Sequence, residues 1–426
     1  MTEAPMPSML LGLGDEALLE AVARQCFRFF WEGAEPSSGM ARDRSARNAD
    51  PSNDLADDLV AVGGSGFGLM ALVVGVERGW IAGHEFRARV ERIVGLLERA
   101  ERHHGAFPHF LHGESGKTIQ FGEKDDGGDL VETSFLMMGL LTVRQYMAVR
   151  QYFAHDQPLA ARIDRLWSEV EWDWYRHGRD GLYWHWSPNH GWALDHPIRG
   201  WNETLITYVL AASSPGHAIA RRTYERGFCS GPDYTNAKPY HGVTLPLGPD
   251  KGGPLFFAHY SFLGLDPRGL SDIHADYWQQ NVAQVAINRA HCIANPGGFR
   301  GYCANCWGLT ASDDPAGYDA HAPNHDNGTI SPTAALASLP YAPKEALAAL
   351  RHFLGAHGDR IWGRFGFTDA FNETKGWWAD TFLAIDQGPI VVMMENALSG
   401  LPWRLFMGAP EISQGLARLG FQRSNV

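Results

Sequence analysis

The chain has 426 residues, of which 45% are hydrophobic and 20% charged, and a formal charge of −12; these proportions exclude disordered, collagen-like and disulfide-framework proteins, and the acidic balance excludes the basic face that a nucleic-acid partner needs. No run approaches the roughly 18 uncharged apolar residues of a membrane span, since Phe67 to Val76 is closed by Glu77 and Arg78. Five cysteines are too few for a secreted framework, and Met1 to Gly14 lacks the basic start and apolar stretch of a leader, so a cytoplasmic protein with reduced thiols is expected.

In chain order, a surface helix is expected near the amino terminus, followed by Gly66 to Val76, which is apolar almost all round and rich in small residues. A helix of that kind is buried on most sides. Gly63-Gly64-Ser65-Gly66 ahead of it lacks the lysine of a phosphate loop, so close helix packing accounts for its glycines. His84 to Glu101 has apolar residues at three and four spacing and a charged face, the pattern of a covering helix. Lys124 to Asp129 looks like a calcium loop but lacks its alternating oxygen ligands.

Glu132 to Arg144 is a second buried helix and Leu159 to Tyr175 a second cover. The loop Gly178 to Arg199 carries Tyr183, Trp184, His185, Trp186, His190 and Trp192, and leads into a buried helix, Glu203 to Ala212, opened by Trp201 and Asn202. His217 to Arg226 is an outer segment, and Phe228 to Pro254 another long loop. Phe256 to Leu263 is a weaker inner member, covered by Asp272 to Arg289. The loop Asn295 to Asn327 holds Cys303-Ala304-Asn305-Cys306, with His291 and Cys292 upstream; no second spaced pair completes a zinc site, so free thiols are expected. Trp307, Tyr302, Asp313, Tyr318 and Asp326 lie in the same loop. Thr329 to Leu339 and Pro389 to Leu398 are the last buried helices, Lys344 to Phe353 an outer one, and a further cover is expected at the carboxyl terminus.

Buried helices alternating with amphipathic ones, about six of each, indicate an all-α fold, an (α/α)6 toroid, with residues 1–426 as one domain. Inner helices that run parallel bring their amino-terminal ends to one mouth. Asp125, Asp129 and Glu132, then Glu203, then Asp326 and Asn327, then Asp386 and Gln387 would converge there. Asp129 with Glu132 three residues on is also a capping box, and Asp326 and Asp386 serve equally as N-caps. Glu203, read as lying inside its helix, is explained less well by capping, because a glutamate on an apolar helix is costly unless paired or used. A group of carboxylates is what glycoside hydrolysis requires: one acid protonates the leaving oxygen and a second carboxylate activates water or attacks the sugar. Trp192, Trp201, Trp307 and Tyr318, with His190, Asp313, Asp326, Asp386 and Gln387, are expected to bind the sugar, since aromatic faces stack on pyranose rings. Sugar epimerases need paired histidines and terpene cyclases an Asp-x-Asp-Asp motif; neither sits at an inner-helix mouth.

The chain resembles the bacterial β-1,2-glucanases with a glucoamylase-like domain, related to a domain of cyclic β-1,2-glucan synthases. The matching stretches begin with Phe27-Arg28-Phe29-Phe30-Trp31, Gly66-Phe67-Gly68-Leu69, Glu77-Arg78-Gly79-Trp80, Glu132-Thr133-Ser134-Phe135-Leu136 and Gly139-Leu140-Leu141. They continue with Trp307 to Asp313, Asp326 to Ile330, Gly366 to Asn372 and Ile385 to Pro389. The resemblance implies an (α/α)6 fold and hydrolysis of β-1,2-glucan to sophoro-oligosaccharides without metal or cofactor, with the acid at Glu203 and an acidic cluster at Asp125, Asp129 and Glu132. Endo-acting, inverting cleavage is expected; the alternatives are release of sophorose from chain ends, transglycosylation, or a non-catalytic glucan-binding protein. Two features depart from the family: no leader is seen, and Asn202-Glu203-Thr204 stands where Asn-Glu-Ala is commoner.

Overall fold

A computed structural model describes residues 4–47, 58–150, 157–231 and 233–424. The helices are α1 (Pro7–Leu11), α2 (Asp15–Trp31), α3 (Val62–Glu77), α4 (Gly83–Leu97), α5 (Leu130–Val149), α6 (Gln157–Ser168), α7 (Leu205–Ser213), α8 (Arg221–Thr223), α9 (Tyr277–Ala294), α10 (Pro332–Leu336), α11 (Pro343–His352), α12 (Gly358–Ile361), α13 (Ala384–Leu398), α14 (Leu401–Met407) and α15 (Pro410–Leu419). Every residue of α3 from Val62 to Gly75 is buried, as its all-round apolar sequence requires. It packs between α5 and α13. Small residues set how close α3 and α5 come: a Cβ on Gly66 would lie 2.1 Å from the carbonyl oxygen of Phe135, and one on Gly139 2.2 Å from that of Gly66.

Around these helices, α2 covers α3 and α13, α4 covers α3, α6 lies against α4 and α5, α11 against α10, and α15 against α7. Helix α14 touches α3, α5 and α13 together. One hydrophobic cluster takes in buried side chains from Leu10 to Phe421. Among the described residues, no helix is long and apolar enough to cross a membrane.

The molecule is helix-rich as expected, but several elements differ. Phe256 to Leu263 forms two 3-10 turns, Leu255–Ala258 and Ser261–Leu263, and the buried helix expected at Thr329 shrinks to the five residues of α10, opened by Pro332. The cover expected to run to Tyr175 stops at Ser168. The outer segment His217 to Arg226 becomes α8 continued by a π-turn, Tyr224–Phe228. Glu203 does not lie inside a helix; α7 begins at Leu205.

The all-α expectation also misses a set of short antiparallel strand pairs in the loops. Arg44–Ala46 pairs with Thr381–Leu383, and Gly128–Asp129 with His185–Trp186. Leu59–Ala61 pairs with Phe110–His112, and Ala311–Asp314 forms a hairpin with Gly317–Ala320. At two to four residues, they are too short to show a period-two pattern.

Candidate active site

Asp129 is the N-cap of α5: its Oδ1 accepts hydrogen bonds from the Val131 and Glu132 backbone N–H groups, both at 2.9 Å. Its Oδ2 meets Trp184 Nε1 at 3.2 Å and His109 Nδ1 at 3.3 Å. Four donors occupy this buried carboxylate, so it organises its neighbours. The strand pair Gly128–Asp129 with His185–Trp186 brings Trp184 and His185 to it. Burial alone would lower the His109 pKa, but the charges of Glu132 and Asp129 push it up to about 9. An imidazolium therefore sits among the acids at neutral pH, stacked on the exposed ring of Phe121 at 4.1 Å.

Glu132, one turn into α5, accepts a hydrogen bond from the Gly63 N–H at 2.7 Å through Oε2. Burial and then the Asp129 charge push it up to about 7, against the pull of His109. Asp125 is pushed up to about 6, by burial and then by Asp129. Its Oδ1 lies 3.1 Å from His185 Nε2, while that nitrogen already accepts from the Gly127 N–H at 3.2 Å.

Glu203 lies in the turn before α7, partly exposed, and its carbonyl accepts a hydrogen bond from Ser261 Oγ. Burial, reinforced by the charges of Glu132 and Asp129, pushes its carboxyl up to about 7. The two glutamates therefore face each other electrostatically across the gap between α5 and α7. Tyr260 feels the charges of Glu203, Asp369 and Asp386, and packs on Phe67 and Phe135 at ring distances of 5.1 and 5.7 Å. It forms an aromatic floor between the glutamates and a second acidic group.

That second group comes from α13 and the strands beside it. Asp386, in the first turn of α13, shares a side-chain hydrogen bond with Asp369. Burial raises both, and two carboxyls in such contact hold a proton between them. Asp369 Oδ2 accepts from the Asp313 N–H at 2.6 Å. Asp313 in turn accepts from Thr381 Oγ1 at 2.6 Å and pairs with Arg44 at 3.1 Å. The strand Arg44–Ala46 delivers that arginine, and Tyr318 on the hairpin lies within reach of the charges of Asp369, Asp386 and Arg44. A cavity of about 390 Å³ lined by Asp43, Arg44, Phe110 and Thr381 opens beside this wall.

The structure thus groups Asp125, Asp129, Glu132 and Glu203 by their mutual charge interactions, and Asp313, Asp386 and Tyr318 with Asp369, with Tyr260 within reach of charges from both groups. Two of the expected sugar ligands, Trp201 and Trp307, are corrected. Trp201 and Trp307 are fully buried; Trp201 donates to Gln284 at 3.1 Å, so both are core and not sugar platforms. Asp326 is a structural acceptor for His291 at 3.0 Å, Tyr302 at 2.8 Å and the Gly328 N–H at 2.9 Å. Gln387 is buried and donates to the Phe367 carbonyl at 2.8 Å. Trp192 is sandwiched between Trp174 and His177 at 4.9 and 4.4 Å, and His190 is exposed in the turn Ser187 to Gly191. Sequence reasoning missed His109, Tyr260, Asp369, Arg44 and Phe121, none of which lies in a helix with a readable pattern. Asp369 was within reach, in the matching stretch Gly366 to Asn372.

Residues 195–410 match the Glycoamylase family model, a glucoamylase-type domain. The chain is 45% identical to an exo β-1,2-glucooligosaccharide sophorohydrolase (non-reducing end) of Parabacteroides distasonis, over 95% of this chain and 58% of that protein. It therefore spans less than two thirds of that curated relative. A solved endo-β-1,2-glucanase of Chitinophaga pinensis, in complex with sophorotriose and glucose, is 51% identical with a TM-score of 0.92, covering 96% of this chain and 99% of the other. An endo-β-1,2-glucanase of Talaromyces funiculosus bound to sophorose shares the fold at 12% identity, with a TM-score of 0.65 over 98% of this chain and 92% of the other.

Proposed function

The chain belongs to the family of bacterial β-1,2-glucanases and sophorohydrolases built on the glucoamylase-type domain, and from that premise we propose that it is a glycoside hydrolase of β-1,2-glucan, with Glu203 donating the proton to the leaving glycosidic oxygen. The observation that carries this is the state of Glu203: partly exposed in a carboxylate-lined basin, yet pushed up to about 7, it holds a transferable proton where an ordinary glutamate is ionised.

The water-activating carboxylate is Glu132 in the leading reading. Asp129 has its oxygens filled by four N–H donors, whereas Glu132 spends one oxygen on Gly63 and senses Glu203 directly. A second reading places the role on Asp386, because its Oδ2 is buried without a hydrogen-bond partner. We further propose single displacement with net inversion, and attack within the chain. The endo-acting relative is 51% identical to this chain, against 45% for the exo-acting one. The helix packing supports a double ring, with α3, α5, α7, the turns 255–263, α10 and α13 inside and α2, α4, α6, residues 221–228, α9 and α11 outside. The continuous hydrophobic cluster supports reading 1–426 as one domain.

Incubation with linear β-1,2-glucan tests this. New reducing ends spread over several oligosaccharide lengths, with the inverted anomer formed first by NMR, are expected. Release of sophorose alone would make the enzyme exo-acting, first product of retained configuration would replace the single displacement, and binding without new ends would make the protein a glucan-binding module.

A further inference from the structure

The hairpin Ala311–Asp314 with Gly317–Ala320 has two faces. Its register sets Asp313 opposite Tyr318 and Ser312 opposite Asp319. Because side chains alternate along a strand, Asp313 and Tyr318 share the face turned to the acidic basin. Asp314, Asp319 and, one residue past the strand, His321 belong to the other. On that second face one carboxylate oxygen from each aspartate and a ring nitrogen of His321 all lie within 4.8 Å of one another.

His321 distinguishes this trio from an ordinary acidic turn. The side chain is 1% exposed, and neither ring nitrogen has a hydrogen-bond partner among the described residues. Its Nε2 stands 3.6 Å from Asp314 Oδ2, close to the carboxylate but beyond hydrogen-bonding range. A buried imidazole with both nitrogens unsatisfied is costly, and bringing a cation between it and the carboxylates removes that cost. Asp314 is already oriented as a ligand should be: Oδ1 accepts the Ala316 and Gly317 N–H groups at 2.7 and 2.8 Å, and Oδ2 accepts Asn327 Nδ2 at 2.8 Å. Asp319 is half-exposed and held by His325 at 2.6 Å and by the Ala320 N–H at 2.8 Å, so it can swing in to close the site.

We propose that Asp314, Asp319 and His321 bind one divalent transition-metal ion that clamps the hairpin presenting Asp313 and Tyr318 to the basin. One imidazole with two carboxylates suits manganese or zinc rather than calcium, which takes oxygen ligands throughout. The ion is structural; proton transfer in the basin stays with the carboxyls.

Calorimetric titration of the EDTA-treated full chain with manganese tests the site, with cobalt absorption as a second probe, because the exposed thiol of Cys303 also attracts zinc. About one ion per chain is expected, with a raised Tm and a cobalt spectrum free of sulfur charge transfer. Asp319→Asn should weaken binding at least about tenfold and abolish the rise in Tm, whereas Cys303→Ser should change neither. His321→Gln should do the same as Asp319→Asn. If that buried variant does not fold, Asp319→Asn, changed at a half-exposed position, decides the matter alone. No manganese or cobalt binding by the wild type, or unchanged binding in a folded Asp319→Asn protein, overturns the proposal. Neither readout depends on glucan hydrolysis.

Discussion

Proton supply in this basin is set by what each carboxyl touches. Asp129 caps α5 and is fixed by four donors, Asp125 lies against His185 at 3.1 Å, and Glu203 is left with an environment that resists ionisation. Glu203→Gln keeps the shape and the hydrogen-bonding capacity but removes the acid, so cleavage should fall by about two to four orders of magnitude while Tm holds. For the wild type, the rate should decline as pH rises through about 7, because the acid is lost as Glu203 ionises. Rates and melting curves on one preparation check both; near-normal turnover in a folded variant transfers the acid role to Glu132. At this scale the sequence was informative wherever a carboxyl sits at the start of an apolar helix, as for Glu132, Glu203 and Asp386. It was mute for Tyr260 and His109, whose places depend on a 3-10 turn and on the approach of residues 107–109 to α5. Trp201 and Trp307 misled for a related reason: a tryptophan beside a loop is equally suited to sealing a core, and only the packing tells which.

At the scale of elements, the basin's geometry rests on how closely α3 and α5 pass. A methyl group on Gly66 meets the Phe135 carbonyl oxygen at 2.1 Å, and one on Gly139 meets that of Gly66 at 2.2 Å. Either Gly→Ala change must push the helices apart, and with them Gly63 from Glu132. A loss of about 1–3 kcal/mol is expected from each in urea unfolding, against almost none for Gly216→Ala, where a Cβ meets nothing within 4 Å. A native-like midpoint for Gly66→Ala would refute this account of the packing. The buried helices α3, α5, α7 and α13 were legible because being apolar all round leaves a helix nowhere to go but inside. Helix α10 was over-read: Pro332 fixes where it starts, and after Leu336 the chain turns toward α11 although its residues stay apolar. Pairs such as Arg44–Ala46 with Thr381–Leu383 were invisible because each strand is created by a partner far away in sequence.

For the whole molecule, gathering these acids has a stability cost that depends on pH. Glu132, Glu203, Asp125 and Asp369 all titrate above their ordinary values in the folded chain, as does Asp386. Between the ordinary carboxylate range near 4 and about 7, these carboxyls bind more protons in the folded state than in the unfolded one, so their contribution to stability falls as pH rises. His109, raised to about 9, adds the same trend above its ordinary 6.5, whereas histidines that burial holds below that value, His259 and His103 among them, contribute the opposite sign. Asp386→Asn, which removes one buried ionisation, should therefore gain stability relative to the wild type as pH rises from about 5 to about 7.5, and little at the lower end. A difference in melting temperature between the two that stays constant through this interval would contradict the sign.

The pairing of Arg44–Ala46 with Thr381–Leu383 also bears on how the protein comes into being. A ribosome delivers Leu383 only 339 residues after Arg44, so Arg44 waits for its wall of the basin while that whole stretch is made. Helices α3 and α5 can meet early, since both lie in the first part of the chain. The nascent protein nevertheless has half an acidic basin until Leu383 emerges, and a product truncated ahead of Thr381 lacks the partner of Arg44–Ala46 however well its helices have formed.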